Sequence, residues 1–221
     1  MKTPVLYLPN FVKNADEVFE KLKTELDWVR HDKTPRSEYY YNKFQKPYTY
    51  GKGQYARTYE PQAGHPDIEA ISEKLTKLVG HPFDVCFLNR YHDQSDHLGW
   101  HSDDSPEMDV MRPIGIVSLG VEREIWFRQK PYPEDSSCGA CNGSGKYDYA
   151  TKRGKIPDCG LCGGSGKAKS HPVETLKLQH GSLCMMVPGM QQTHQHRIPK
   201  AGFTCGERIS LTFRGYVPHK G

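Results

Sequence analysis

His101-Ser102-Asp103 places an imidazole and a carboxylate two residues apart. On an extended segment, residues i and i+2 point the same way, so both side chains can reach one metal ion. A second histidine from far along the chain would complete a face of two histidines and one carboxylate. On Fe(II), that set leaves positions open for substrate and dioxygen. The distant histidine is sought in residues 191–199, Gln-Gln-Thr-His-Gln-His-Arg-Ile-Pro. His194 and His196 share a face if this segment is extended, so spacing alone does not choose between them. Farther on, Arg208-Ile209-Ser210-Leu211-Thr212-Phe213-Arg214 alternates polar and apolar positions. Arg208, Ser210, Thr212 and Arg214 then form one face of a strand, looking into either a pocket or water. A buried arginine there suits bidentate capture of a carboxylate.

A second constellation lies between these segments. Cys138-Gly-Ala-Cys141-Asn-Gly-Ser-Gly recurs 21 residues later as Cys159-Gly-Leu-Cys162-Gly-Gly-Ser-Gly. Each pair can supply two thiolates, and the trailing glycines permit tight turns around sulfur. Four thiolates would close a structural Zn(II) site; a dithiol redox pair and disulfides are the alternatives. The stretch resembles the repeats of DnaJ-type zinc domains over about 30 residues, which implies zinc binding rather than chaperone activity. Lys146, Lys152, Arg153, Lys155, Lys167 and Lys169 outnumber Asp148 and Asp158 here. Such a basic knob could grip a nucleic-acid backbone; a solvated stabilising insert or a protein-docking surface is the plainer reading.

The elements that must hold these residues are legible in outline. The 221 residues are 36% hydrophobic, with a mean hydropathy of −0.75 and a net charge of +4. This length suffices for one domain with an insertion. No run is apolar enough to span a membrane and the start carries no signal segment, so a soluble, cytoplasmic protein is expected. Residues 5–8 read as a strand. Asn14 is a plausible helix cap with Glu17 three positions on, followed by Val18, Phe19, Leu22 and Leu26 at helical spacing. Pro66 opens a second helix with Ile68, Ile71, Leu75, Leu78 and Val79 on one stripe, closed by Gly80. Between the helices, tyrosines and basic residues mix with Gly and Pro, from Arg36 through Tyr48-Thr49-Tyr50 to Tyr59. They could form a base-stacking, phosphate-meeting surface or a half-buried hairpin. From residue 84 the pattern is β, with strand runs at 85–88, 114–119, 124–127, 175–178, 182–187 and 209–213. Helices first and strands after predict an α+β fold with a two-sheet core. Residues 1–130 and 174–221 make up this domain, with a lid region at 28–61; residues 131–173 are an inserted module.

Several motifs in this order resemble the AlkB family of Fe(II)- and 2-oxoglutarate-dependent dioxygenases. They are Asn89-x-Tyr91, His101-x-Asp103, His196 before Ile198-Pro199, and Arg208 to Arg214, with the segment from Pro35-Arg36 to Gly51 similar to the family's substrate lid. The resemblance implies a double-stranded β-helix, or jelly-roll, buttressed by N-terminal helices. It implies Fe(II) held by His101, Asp103 and His196, favouring His196 over His194. It implies 2-oxoglutarate bound by Arg208 and Tyr91, with Asn89 and Arg214 steadying the chelating end and Ser210 standing where the family often has Asn. The implied activity consumes O2 and demethylates alkylated bases in DNA or RNA, yielding succinate, CO2 and formaldehyde. Arg36, Tyr48, Tyr50, His97 and Trp100 are candidate substrate contacts. Ser105 joins them, standing where many DNA-repair members carry an acidic residue. The alternatives are hydroxylation of another modified base or a protein side chain, and a catalytically silent zinc-containing binding protein.

Overall fold

The computed structural model describes residues 3–51, 56–130, 141, 144–146, 157–158, 164–166 and 173–217. In chain order the elements are β1 (Val5–Leu8), α1 (Ala15–Glu25), β2 (Ser37–Asn42), β3 (Tyr48–Tyr50), β4 (Arg57–Tyr59), α2 (Pro66–Val79), β5 (Val85–Tyr91), β6 (Leu98–His101), β7 (Ile114–Gly120), β8 (Arg123–Gln129), β9 (Glu174–Leu178), β10 (Ser182–Met186), α3 (Met190–Thr193), β11 (His194–Ile198) and β12 (Arg208–Arg214).

Helix α1 starts where expected, but Asn14 makes no capping bond to backbone; its amide donates to the Glu17 carboxylate instead. The N-terminus of α2 carries Pro66, and His65 accepts from the Asp67 amide. Its last turn ends on Gly80 at φ 73°, a left-handed conformation that suits glycine. Of its predicted stripe, Ile68, Ile71 and Leu75 are buried, whereas Leu78 is exposed.

Ten of these strands form two antiparallel sheets. The larger has the order β1-β10-β7-β12-β5-β2 and the smaller β6-β11-β8-β9; β3 and β4 pair as a separate hairpin. Among the described strands no ladder joins the two sheets into a closed barrel. The architecture is α+β, with two antiparallel sheets facing each other.

Alternation along the large sheet assigns its two faces. Ile209, Leu211 and Phe213 join Leu88, Val117, Leu119 and Leu183 in one apolar cluster with Val18 and Leu22 of α1 and Ile68, Ile71 and Leu75 of α2. This burial backs the sheet with both helices. The opposite face packs Ile114, Ile116, Cys184 and Met186 against Ile125, Phe127, Leu178 and Ile198 of the small sheet. β12 lies centrally, so both its faces are buried, and its polar residues look inward rather than to water.

By compactness the chain divides into Met1–Phe127 with Glu174–Gly221, and Arg128–Val173. Within the second unit, Lys146 pairs with Asp158 at 2.5 Å, and Ser144 turns back to donate to the Cys141 carbonyl.

The zinc expectation is corrected here. Among the described residues, the group able to hold a metal is His101, Asp103 and His196, and no cysteine cluster is found. Cys141 is buried; Cys138, Cys159 and Cys162 lie outside the described residues. Among the described residues the repeated pairs therefore show no zinc cluster, and the likeness to zinc domains does not define the chain. Of the other cysteines, Cys86 and Cys184 are buried in the two core clusters and Cys205 is partly exposed.

Candidate metal centre and pocket

The site forms where the two sheets meet. β6 ends on His101, and β11 pairs with it antiparallel so that His196 lies directly opposite. The two rings sit 4.1 Å apart between centroids. Asp103 follows His101 by two residues and is 3% exposed. Its Oδ1 is 3.7 Å from His101 Nε2, and its Oδ2 is 3.7 Å from His196 Nε2. One ligand atom from each of the three side chains fits within 4.8 Å of the others. The choice left open by spacing is thereby settled: His194 is not part of this group, its ring nitrogen bonding Thr193 and its carbonyl accepting from Ser102.

The neighbours prepare these groups for a divalent cation. His101 Nδ1 lies 2.9 Å from the Gly99 carbonyl. Donation there puts the proton on Nδ1 and leaves the Nε2 lone pair facing inward. Burial pushes His196 down to about 3, with the adjacent His101 adding to the effect. Burial also lowers His101. Both rings are thus neutral, the form that ligates metal. Burial works against a charged Asp103, but the adjacent Arg214 guanidinium leads the effects that hold the carboxyl below its usual range. Arg214 Nη2 donates to Asp103 Oδ1 at 2.7 Å. Asp103 Oδ2 is buried without a hydrogen-bond partner among the described residues. An orphaned carboxylate oxygen between two neutral imidazoles is the donor set of a non-haem Fe(II) site.

The polar face of β12 continues inward. The register sets Arg208 beside Tyr91 and Ser210 beside Asn89 on β5. Arg208 is fully buried, donating Nε to Ser118 Oγ at 2.9 Å and stacking its guanidinium 5.2 Å from the Tyr91 ring centre. Its Nη1 has no partner among the described residues. Burial, with the positive Arg123 nearby, lowers this guanidinium to about 10. A buried cation with a spare donor asks for an anion.

Above the triad opens a pocket lined in part by His101, Asp103, Arg214, Arg36, Asn89 and Leu98. Its aromatic side comes from Tyr48, Tyr50 and Tyr59 of the β3–β4 hairpin and Phe87 of β5. Tyr48 and Tyr59 are stacked, with centroids 6.1 Å apart, and Tyr59 meets Phe87 edge-on at 4.9 Å. Burial raises Tyr50 and Tyr59 to about 12, so both hydroxyls stay protonated. Tyr48 shares a hydrogen bond with Ser105, which places Ser105 behind the tyrosine.

The structure thus gathers Arg36, Tyr48 and Tyr50 at the pocket. His97 and Trp100 are not among its lining residues: His97 bonds the Ser95 carbonyl, and Trp100 stacks with Arg197. Glu38, Tyr59 and Phe87 line the pocket without having been singled out as contacts. Alternation along Ser37-Glu38-Tyr39-Tyr40 was the available signal for Glu38, since it opposes Asn89 in the ladder. Gln191 was also missed; its side-chain oxygen accepts the Asp103 amide at 2.9 Å and so fixes the ligand's backbone.

Comparison with known proteins agrees with this geometry. The family described as the 2OG-Fe(II) oxygenase superfamily matches residues 4–214. Alpha-ketoglutarate-dependent dioxygenase alkB homolog 3 of Bos taurus is 33% identical over 97% of this chain and 66% of its own length. DNA oxidative demethylase ALKBH2 of Mus musculus is 28% identical over 93% of this chain and 77% of its own. The chain therefore spans just under two thirds of the first of these relatives. The solved structure of OsALKBH1 superposes with a TM-score of 0.56 at 14% identity, covering 97% of this chain and 99% of that one, a likeness of fold. A facial triad of His101, Asp103 and His196 on this two-sheet scaffold, with the family model matched over residues 4–214, makes the protein a member of the 2OG-Fe(II) oxygenase superfamily.

Proposed function

We propose that the protein oxidatively demethylates alkylated nucleobases in DNA or RNA. The observation that carries this reading is the pocket: an aromatic slot of stacked tyrosines opening directly onto the metal triad. A slot of that shape suits a flat ring, and aromatic faces hold bases regardless of sequence. A base alkylated on its pairing edge is inaccessible within a duplex, so it must enter single-stranded or flipped out. The names of the relatives, a DNA oxidative demethylase among them, support the same class of substrate. The two packed antiparallel sheets are in keeping with a double-stranded β-helix core.

When bound, Fe(II) with 2-oxoglutarate and O2 supplies the oxidising power that hydroxylates an N-methyl group, which is then lost as formaldehyde. The protein's part is placement. Gly99 fixes the His101 tautomer, Gln191 holds the Asp103 backbone, and Arg214 turns Asp103 so that Oδ2 stays free. Arg208, with Tyr91 beside it, would take the far carboxylate of 2-oxoglutarate, and Ser210 steadies its guanidinium. Asn89 and Arg214 flank the opposite end. Tyr48 and Tyr50 would cover the base, with Arg36 tied to Asn89 at the rim.

The test is succinate release from 2-oxoglutarate, with Fe(II) and ascorbate, in the presence and absence of a methylated single-stranded oligonucleotide. Stimulation by the oligonucleotide supports the reading. Turnover indifferent to nucleic acid points to hydroxylation of another modified base or of a protein side chain.

A further inference from the structure

Two carboxylates line the pocket, and only one of them belongs to the metal triad. The other, Glu38, is 2% exposed. An ionised carboxylate is buried at great cost unless it is paired. Glu38 is paired on two sides: Arg36 Nη2 donates to Oε1 at 2.5 Å, and the Tyr59 hydroxyl donates to Oε2 at 3.1 Å. Arg57 Nη1 lies 3.6 Å from Oε2. A carboxylate has about four acceptor positions and no donor, so at least one acceptor position remains.

The surrounding groups are committed elsewhere. Arg36 spends Nε on Asn89, Nη2 on Glu38 and Nη1 on the His97 carbonyl. Ser105 is engaged by Tyr48, and Asp103 by Arg214. Tyr59, which donates to Glu38, is also the ring stacked on Tyr48. The carboxylate is therefore anchored to the aromatic slot itself.

We propose that Glu38 reads the base edge, accepting a hydrogen bond from an exocyclic amine and so favouring alkylated adenine- or cytosine-type bases over uracil- or thymine-type bases. Alkylation of the neighbouring ring nitrogen of an amino base also leaves a positive charge, which a carboxylate attracts. A carbonyl in the same place sets oxygen lone pairs against oxygen lone pairs. The assignment rests on the nucleobase reading above.

The test compares two single-stranded oligonucleotides, one with 3-methylcytosine and one with 3-methyluracil, which differ at the amine. Demethylation of each is followed by mass spectrometry for the wild type, Glu38→Gln and Glu38→Asp. The wild type should favour 3-methylcytosine. The ratio of the two rates should fall about tenfold or more in Glu38→Gln and persist in Glu38→Asp. Ratios within one preparation cancel losses of folded protein, and Glu38→Ala replaces the amide variant if that variant does not fold. An equal loss on both oligonucleotides in Glu38→Gln means that Glu38 only positions Arg36, and overturns the assignment. Wild-type protein that demethylates neither oligonucleotide while still consuming 2-oxoglutarate overturns the nucleobase reading and this assignment together.

Discussion

Replacing Arg208 with methionine separates a cosubstrate contact from a structural residue. The guanidinium is fully buried, with Ser118 and Ser210 hydroxyls as its acceptors, Tyr91 beside it and Nη1 unpartnered among the described residues. Its shift from 12.5 to about 10 corresponds to roughly 3 kcal/mol disfavouring the charge, at about 1.4 kcal/mol per unit. A structural arginine would have its charge balanced by a carboxylate; among the described residues no salt bridge pairs Arg208 with one, as expected of a guanidinium that takes an anion from a ligand. An apolar side chain of similar volume removes a buried charge, so the metal-free Arg208→Met variant should be as stable as the parent or more so. Binding of 2-oxoglutarate loses a charge-assisted pair worth about 2 kcal/mol or more, a weakening of at least about 30-fold. Calorimetric titration with Mn(II) in place of iron measures this, and urea unfolding measures the stability. 2-Oxobutyrate, which keeps the chelating end but lacks the far carboxylate, should bind both proteins alike. A variant that loses about 3 kcal/mol of folding stability yet binds 2-oxoglutarate within about twofold of the parent would refute the reasoning.

Two other outcomes follow from the same geometry. His196 is depressed to about 3 and His101 is lowered, both chiefly by burial. The unfolded chain takes up these protons below about 6.5 while the folded chain does not, so stability present above that pH is lost as pH falls toward about 3. Urea midpoints of the metal-free protein should drop between pH of about 7 and about 5, by up to about 1.4 kcal/mol per unit per histidine; flat midpoints contradict buried neutral rings. At the end of β7, Gly120 has φ +87°, and an added Cβ would lie 2.4 Å from the Glu207 carbonyl oxygen. Gly120→Ala should cost about 2 kcal/mol or more in chemical denaturation, and a loss under about 0.5 kcal/mol would show that the backbone there yields freely.

The parts of the fold legible in the sequence were those governed by local pattern. Pro66 and Gly80 bracket α2 because one tolerates the missing amide of a first turn and the other the left-handed cap. The alternation of residues 208–214 placed both arginines on one face, and the β5 register set Tyr91 and Asn89 beside them. What local pattern could not supply was tertiary choice. His194 and His196 are equivalent by spacing; the pairing of β11 with β6 decides between them. Trp100 neighbours a metal ligand in sequence, yet on a strand it faces the other way, toward Arg197. Glu38 reads as a charge within a tyrosine run until the ladder with β5 carries it inside. The cysteine pairs show the opposite error, since a spacing that is compelling in isolation did not yield a metal cluster among the described residues.

The central claim is that His101, Asp103 and His196 hold the iron that demethylates a base in the tyrosine slot. Its most direct test is mass spectrometry of a single-stranded oligonucleotide carrying one 3-methylcytosine, incubated with Fe(II), 2-oxoglutarate and the wild type, His196→Ala or His194→Ala. The account predicts loss of the methyl group with the wild type and with His194→Ala, and its retention with His196→Ala. Retention in all three reactions, or loss with His196→Ala and not with His194→Ala, would contradict it.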